Sequence, residues 1–393
     1  MMRVILTFDG GHCYILKLGV VLVKATNMSH TAWFHSHLDT DNDVSPGIKD
    51  MVEEKGSTCV SIIVPTHRFG QDRQSDIKEV QRAILVAKQS GLKKEEKILA
   101  GIDDLFDQID FNRHKEGIGI FVSSHIKKLV IFPFAVTKKI IVNNLFYLHD
   151  LLYLENYSAP YYLVEISGKE IRLFRGIMDH LEEIIDENFP KNITDDYEYS
   201  KPSQSSSYAG YTHVKGFEKD KSEIQHLRLR KAFREIYNCL VKYLPAKETP
   251  LLLCGPQRDI SLFESGIDHL DNMVALIRDN NQHAGIRELE ELAWHQIKSF
   301  TDQQKLKMVD EFKEKIGAGL AVYGMEAVWK AAKEGKGFRM LVEKEYNGGA
   351  MVTQEIDTVN EIMSAVLEKN GKIIIVEKDV LKDFKRIALI KRY

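Results

Sequence analysis

The sequence predicts a mixed α/β protein of three consecutive domains, and three observations lead there. Apolar residues switch repeatedly between a period near 3.6 and short β-branched runs along the whole chain. Gly, Pro, Asn and Asp punctuate these segments at the places where helices and strands stop. The 393 residues suffice for two or three domains at roughly 150 residues each, and 44% hydrophobic residues can fill a core in every one. The expected division is an N-terminal extension over 1–46, an N-terminal α/β domain over 47–155, a middle domain over 156–283 and a C-terminal domain over 284–393.

In the first domain, an entry helix ends near Gly56 and is followed by the buried strand Cys59-Val60-Ser61-Ile62-Ile63-Val64, closed by Pro65. A helix starts at Ser75-Asp76, carries Ile77, Val80 and Ile84 on one face and stops at Gly91. A second helix aligns Ile98, Ile102, Leu105, Phe106 and Ile109, and residues 118–123, 128–134 and 139–145 read as strands.

The middle domain opens with two strands, 161–166 and 171–174, around the turn Ser167-Gly168. Residues 176–198 hold eight Asp/Glu against one Lys, net −7, and read as a solvated helix and linker without calcium-loop spacing. Residues 200–216 form a loop rich in Ser, Tyr and Gly. A long helix from about 218 to 243 follows, with Leu227, Leu229, Ala232, Phe233, Ile236 and Leu240 as its stripe. Leu251 to Cys254 is a buried strand, Ile260 to Phe263 a short element, and helices fill much of 264–316. The last domain reads as helix 325–333, strand 338–346, helix 357–369, and strands 372–376 and 387–390.

Composition excludes several classes. No apolar run reaches the roughly 18 residues of a membrane span. Asp9 and His12 interrupt the first apolar run, which argues against a signal peptide, and Met28 is a second candidate start. Cys13, Cys59, Cys239 and Cys254 lack CxxC spacing, so they read as reduced thiols of a cytoplasmic protein and not as a zinc site. Neither a Walker loop nor a dinucleotide fingerprint appears, no metal set is expected, and no cofactor is called for. Glu165, Glu170 and Asp259 are the carboxylates a metal-dependent nuclease would need to bring together.

Four stretches, in this order, carry a family resemblance: Val60 to Arg68; Tyr161 to Ile166 with Ile171 to Gly176; Pro250 to Pro256; and Val322 to Ala332 with the ending Arg386 to Tyr393. Together they resemble the bacterial proteins akin to archaeo-eukaryotic release factors, over about residues 47–393. The resemblance implies a ribonuclease H-like middle domain. It also implies a C-terminal α/β/α sandwich like that of kink-turn-binding ribosomal proteins, and a protein partner docking on that sandwich. It implies ribosome or tRNA as target; neither membrane nor DNA is expected as a partner. Well-known members carry a Gly-Gly-Gln loop that promotes peptidyl-tRNA hydrolysis. That tripeptide is missing here from the matching loop, residues 200–224, so no catalytic glutamine is carried over.

The loop and its helix are the main candidate interface. Residues 201–250 hold ten Lys/Arg against five Asp/Glu, net +5. Tyr208, Gly210, Tyr211 and Lys215 in the loop, with Arg228, Arg230, Lys231 and Arg234 behind them, suit RNA: cations meet phosphates and rings stack on unpaired bases. Gln204 and His213 are the candidates for positioning water or moving a proton if the loop hydrolyses an ester. His67, Arg68 and Arg73 form a candidate contact loop at the end of the first strand. The expected function is a translation-associated factor that binds ribosome or tRNA without release catalysis. A peptidyl-tRNA hydrolase acting in ribosome rescue and a protein-interaction module are the alternatives.

Overall fold

A computed structural model describes residues 46–54, 56–67, 72–90, 92, 95–111, 115–167, 170–192, 230–244, 249–267, 272–278, 285–348 and 358–393. Three sheets organise it.

The first sheet has the order β3-β2-β1-β4, all antiparallel, built from β1 (Cys59–Pro65), β2 (Gly117–Val122), β3 (Lys127–Phe132) and β4 (Lys139–Asn143). β1 is buried except at Pro65, because both its faces are covered. One face lies under α2 (Arg73–Gln89) and α3 (Glu96–Asp107), whose Val80, Ala83, Ile84, Ile98, Ile102 and Leu105 pack on Val60, Ile62 and Val64. Odd-numbered Cys59 and Ile63 point to the opposite face, as the two-residue strand period requires. There they meet α1 (Pro46–Glu53) and α4 (His149–Asn156).

The second sheet has the order β10-β9-β5-β6-β7, with β8 (Lys191–Asn192) pairing β6. β5 (Pro160–Ser167), β6 (Glu170–Ile177) and β7 (His180–Glu183) form an antiparallel meander. β9 (Leu251–Gly255) and β10 (Met273–Arg278) extend it in parallel with β5. One face is covered by the helix α5, described over residues 230–240, and by α6 (Gln257–Gly266). The other lies under the first half of α7 (Ile286–Gly317) through Leu289, Ala293 and Ile297.

The third sheet has the order β11-β14-β12-β13: β11 (Ala321–Tyr323), β14 (Ile387–Lys391), β12 (Gly337–Glu343) and β13 (Lys372–Val376). The second half of α7 covers one face with Met308, Val309 and Phe312. α8 (Met325–Lys333) and α9 (Thr358–Glu368) cover the other. α7 is thus a single helix of 32 residues, about 48 Å long, whose two halves belong to the cores of two sheets.

The first and third sheets share a core. Phe121, Phe132, Leu151 and Tyr157 fall in one buried cluster with Val328, Ile362, Met363 and Ile375. Two asparagines lock this junction. Asn156 Nδ2 donates to Ile373 O at 3.0 Å, and its Oδ1 accepts from Ile375 N at 2.7 Å. It therefore pairs with the outer edge of β13 as a neighbouring strand would. Asn360 on α9 accepts from Leu148 N at 2.8 Å and donates to Phe146 O at 2.8 Å, satisfying backbone groups at the start of α4. α4 is held at both ends.

Several elements differ from the sequence reading. Residues 273–278 are strand β10, inside the span read as helical; a short run such as Met-Val-Ala-Leu-Ile has no period that separates the two, and pairing with β9 decides it. Residues 260–263 lie within α6 and are not a separate element. The described part of the acidic block, 176–192, is strand and turn and not helix; Met178, with φ 54°, turns β6 into β7. Cys59, Cys239 and Cys254 are free thiols, Cys239 only partly buried, and burial pushes the Cys59 thiol up to about 11. Among the described residues no helix is long and apolar enough to cross a membrane.

Candidate nucleic-acid interface

α5 carries the cations expected at the root of the loop. Phe233, Ile236 and Leu240, spaced by three and four residues, are buried on the middle sheet, with Phe233 stacked edge-on against Phe263 at 5.4 Å. Helical geometry then turns Arg230, Lys231 and Arg234 outward, and all three are exposed. Arg230 Nε donates to Ser265 Oγ at 3.1 Å, which ties the helix to the end of α6. The acidic block is anchored at the other end of α5. Asp186 there accepts from Tyr243 Oη at 2.6 Å and from the backbone of Asn188 and Phe189, and the Tyr243 hydrogen bond holds its carboxyl below the usual range. About 15 Å of helix separates Arg230 from that end. Tyr208, Gly210, Tyr211, Lys215 and Arg228, with Gln204 and His213, lie outside the described residues.

The second candidate group stands on the first sheet. Thr66 ends β1 by donating Oγ1 to Lys115 O at 2.9 Å. His67 then turns back onto Asp76, buried in the first turn of α2: its backbone N donates to Oδ2 at 3.0 Å, and its Nδ1 lies 2.7 Å from Oδ1. The Asp76 hydrogen bond and charge raise the His67 pKa above its ordinary value. The imidazole edge away from Asp76 is open, since the side chain is 61% exposed. Arg73 is exposed nearby at the start of α2, and Arg68 lies outside the described residues. A raised histidine adds its charge to folded-state stability below about pH 6.5, and loses that contribution as pH rises through the raised value. In Asp76→Asn, the His67 midpoint followed by NMR should therefore drop toward 6.5; a midpoint equal to that of the wild type would remove Asp76 as the cause.

The carboxylates of the nuclease reading do not form a cluster. Glu165 is buried and held by Arg172 at 2.8 Å, Glu170 is exposed at the β5–β6 turn, and Asp259 sits in the first turn of α6. Among the described residues no three His, Cys, Asp or Glu converge as metal ligands.

Sequence reasoning missed a buried polar hub where α4, α7 and the third sheet meet. Lys305 is 2% exposed, its Nζ finds no acceptor among the described residues, and it rests 3.5 Å from the centre of the Tyr157 ring. Burial pushes its amine down to about 7. Around it, Tyr157 donates to Asp302 and Tyr153 donates to Glu377 at 2.9 Å. Lys298 bridges Asp302 and Glu377 at 2.7 Å each, and Lys344 lies 4.3 Å over Tyr153. Burial raises the Glu377 carboxyl, but hydrogen bonds from Lys298 and Tyr153 outweigh it and carry the group below its ordinary value. One signal was present in the sequence: Lys305 falls on the α7 stripe that runs from Leu289 through Ile297 to Met308 and Phe312.

Residues 160–336, which hold the middle sheet and all of α7, match the family described as bacterial archaeo-eukaryotic release factor family 3. The matched family is the one that the four stretches of sequence resemble. Among solved structures, the chain is similar to the archaeal translation termination factor aRF1, with 14% identity over 88% of this chain and 96% of that one, TM-score 0.24. It is similar to Archaeoglobus fulgidus Pelota at 15% identity over 71% and 76%, TM-score 0.37. It is also similar to S. cerevisiae Dom34, described as a translation termination-like factor interacting with Hbs1, at 14% over 71% and 75%, TM-score 0.35. No curated protein matches the sequence. At these identities and scores, no residue role passes from those structures to this chain.

Proposed function

We propose that this protein is a translation-associated factor that binds the ribosome or its tRNA through the middle unit and does not itself catalyse peptide release. The observation that carries the reading is the outward row Arg230, Lys231 and Arg234, on a helix whose apolar side is committed to the core. Three exposed cations on one helix suit an RNA backbone. The family match over 160–336 supports translation as the setting. The meander extended by two parallel strands supports the ribonuclease H-like reading of this unit. The chain has no Gly-Gly-Gln tripeptide, which supports binding without release.

Co-sedimentation with purified ribosomes over a salt series tests the reading. Each phosphate contact contributes roughly 0.9 to the slope of log affinity against log salt on a duplex, and roughly 0.7 on a single strand. The triple variant Arg230→Ala, Lys231→Ala, Arg234→Ala should bind about tenfold more weakly and lose about two units of slope. All three side chains are exposed, so the fold should survive. Binding and slope equal to wild type would overturn the assignment.

A further inference from the structure

A second cationic surface lies at one end of the third sheet, and α5 has no part in it. Five segments build it: the last turn of α8, the turn into β12, the residue after α9, the end of β14 and the chain beyond it. Lys330 and Lys333 stand in the last turn of α8. Lys336 follows, paired with Glu334 at 2.6 Å. Arg392 knits the segments together: its backbone N donates to Lys336 O at 2.9 Å, its Nε to Gly337 O at 3.1 Å, and its Nη2 to Lys369 O. Lys391 pairs in register with Gly337, beside Lys336. The lysine side chains gather around Glu334, whose carboxyl is held below its ordinary value by Lys336 first and by Lys330 and Lys391 as well.

Lys330, Lys333, Lys336, Lys369, Lys391 and Arg392 thus gather here with the carboxylates Glu334 and Glu368, and Tyr393 adds negative potential at Lys336. Helix ends account for part of this. The C-termini of α8 and α9 meet here, and each offers about half a negative charge. Together they offset about one cation, which still leaves the cations in excess. Rings are interleaved with the charges. Lys333 Nζ lies 4.2 Å from the Trp329 ring, Phe338 is 37% exposed beside Lys391, and Tyr393 is 73% exposed. Cations set among open rings match a strand of phosphates whose bases are unstacked.

We propose that this end of the third sheet is a second RNA-binding surface, taking an unpaired stretch of RNA. Lys330, Lys333, Lys369 and Lys391 meet its phosphates, and Phe338 and Tyr393 offer stacking faces to its bases. The surface shares no residue with α5, so it stands or falls separately from the proposed function.

Fluorescence anisotropy of the full chain with a labelled polyuridylate of about 20 nucleotides, from about 50 to about 200 mM potassium chloride, tests it. Replacing Lys330, Lys333, Lys369 and Lys391 together by Glu should raise Kd at least tenfold and flatten the salt slope by about three units. The same four changed to Gln should act in the same direction with a smaller step, and they guard against misfolding caused by added carboxylates. Phe338→Ser with Tyr393→Ser should raise Kd at least fivefold at unchanged slope, because stacking carries no charge. Arg230→Ala, Lys231→Ala, Arg234→Ala, measured alongside, separates this surface from α5. The proposal is overturned if folded quadruple variants bind as the wild type does, or if binding disappears with the α5 variant alone. It is overturned equally if the chain takes a polyglutamate peptide in place of polyuridylate.

Discussion

Asn156→Ala should loosen the junction of the first and third sheets by about 3 kcal/mol, and amide exchange at Ile375 should speed up roughly a hundredfold. The side chain is 5% exposed, and both its partners are backbone groups on the edge of β13. Alanine leaves the Ile375 N–H and the Ile373 carbonyl buried without their partner, and each such group costs about 1–3 kcal/mol. Asn156→Asp is the sharper variant. It keeps an acceptor for Ile375 N–H but turns an oxygen toward Ile373 O, so it should be at least as damaging. Asn360→Ala should show the same effect at the other end of α4, read at the Leu148 amide. If the Ile375 amide exchanges at its wild-type rate in Asn156→Ala, the clamp does not hold the two sheets together.

Lys305→Met should stabilise the protein at pH 7 by about 2 kcal/mol, although it removes a charge from a polar hub. The amine is fully enclosed, lacks an acceptor among the described residues and has Tyr157 as its closest support. Methionine is unbranched and only one atom shorter, needs no hydrogen bond and keeps apolar contact with the rings. The pH dependence fixes the cause. A buried amine pushed from 10.5 down to about 7 costs the folded state its full penalty below pH 7, where the unfolded chain is charged as well. Between about 7 and 10.5 the unfolded chain holds the proton that the folded chain has released, so wild-type stability from this group rises with pH. The advantage of methionine should therefore be largest at or below pH 7 and shrink toward pH 10. Tyr153, Tyr157, Lys298, Asp302, Glu377 and Lys344 face the same space and remain in both proteins, so the difference between the two melting curves isolates Lys305. A methionine variant that melts lower at pH 7 would mean that Tyr157 and Asp302 more than repay the burial of the charge.

Much of the fold was legible because helices and strands write their period locally. The helix at Met325–Lys333 is found where Gly324 and Gly335 bracket it. The strand Cys59–Pro65 is found where Gly56 and Pro65 bracket its β-branched run. The three-residue and four-residue steps from Phe233 to Leu240 were enough to place Arg230, Lys231 and Arg234 outside. β10 was not legible, because a short apolar run is compatible with either period until a partner strand is beside it. The strand character of residues 180–183 was masked by their charge, which speaks of solvent and not of backbone shape.

By itself, the sequence determined most of the alternation of elements, the apolar faces of α2, α3 and α5 and therefore the direction of the α5 cations. Tertiary structure alone decided which sheets share a core. Asn156 and Asn360 find their partners more than two hundred residues away in the chain, at separations of 217 and 214. The six cations of the third sheet come from segments near 330, 369 and 391 that only the sheet brings together. The physical reason is the range of the signal. Periodicity arises between residues three or four apart, whereas a clamp or a charged surface exists only after chain topology has closed the distance.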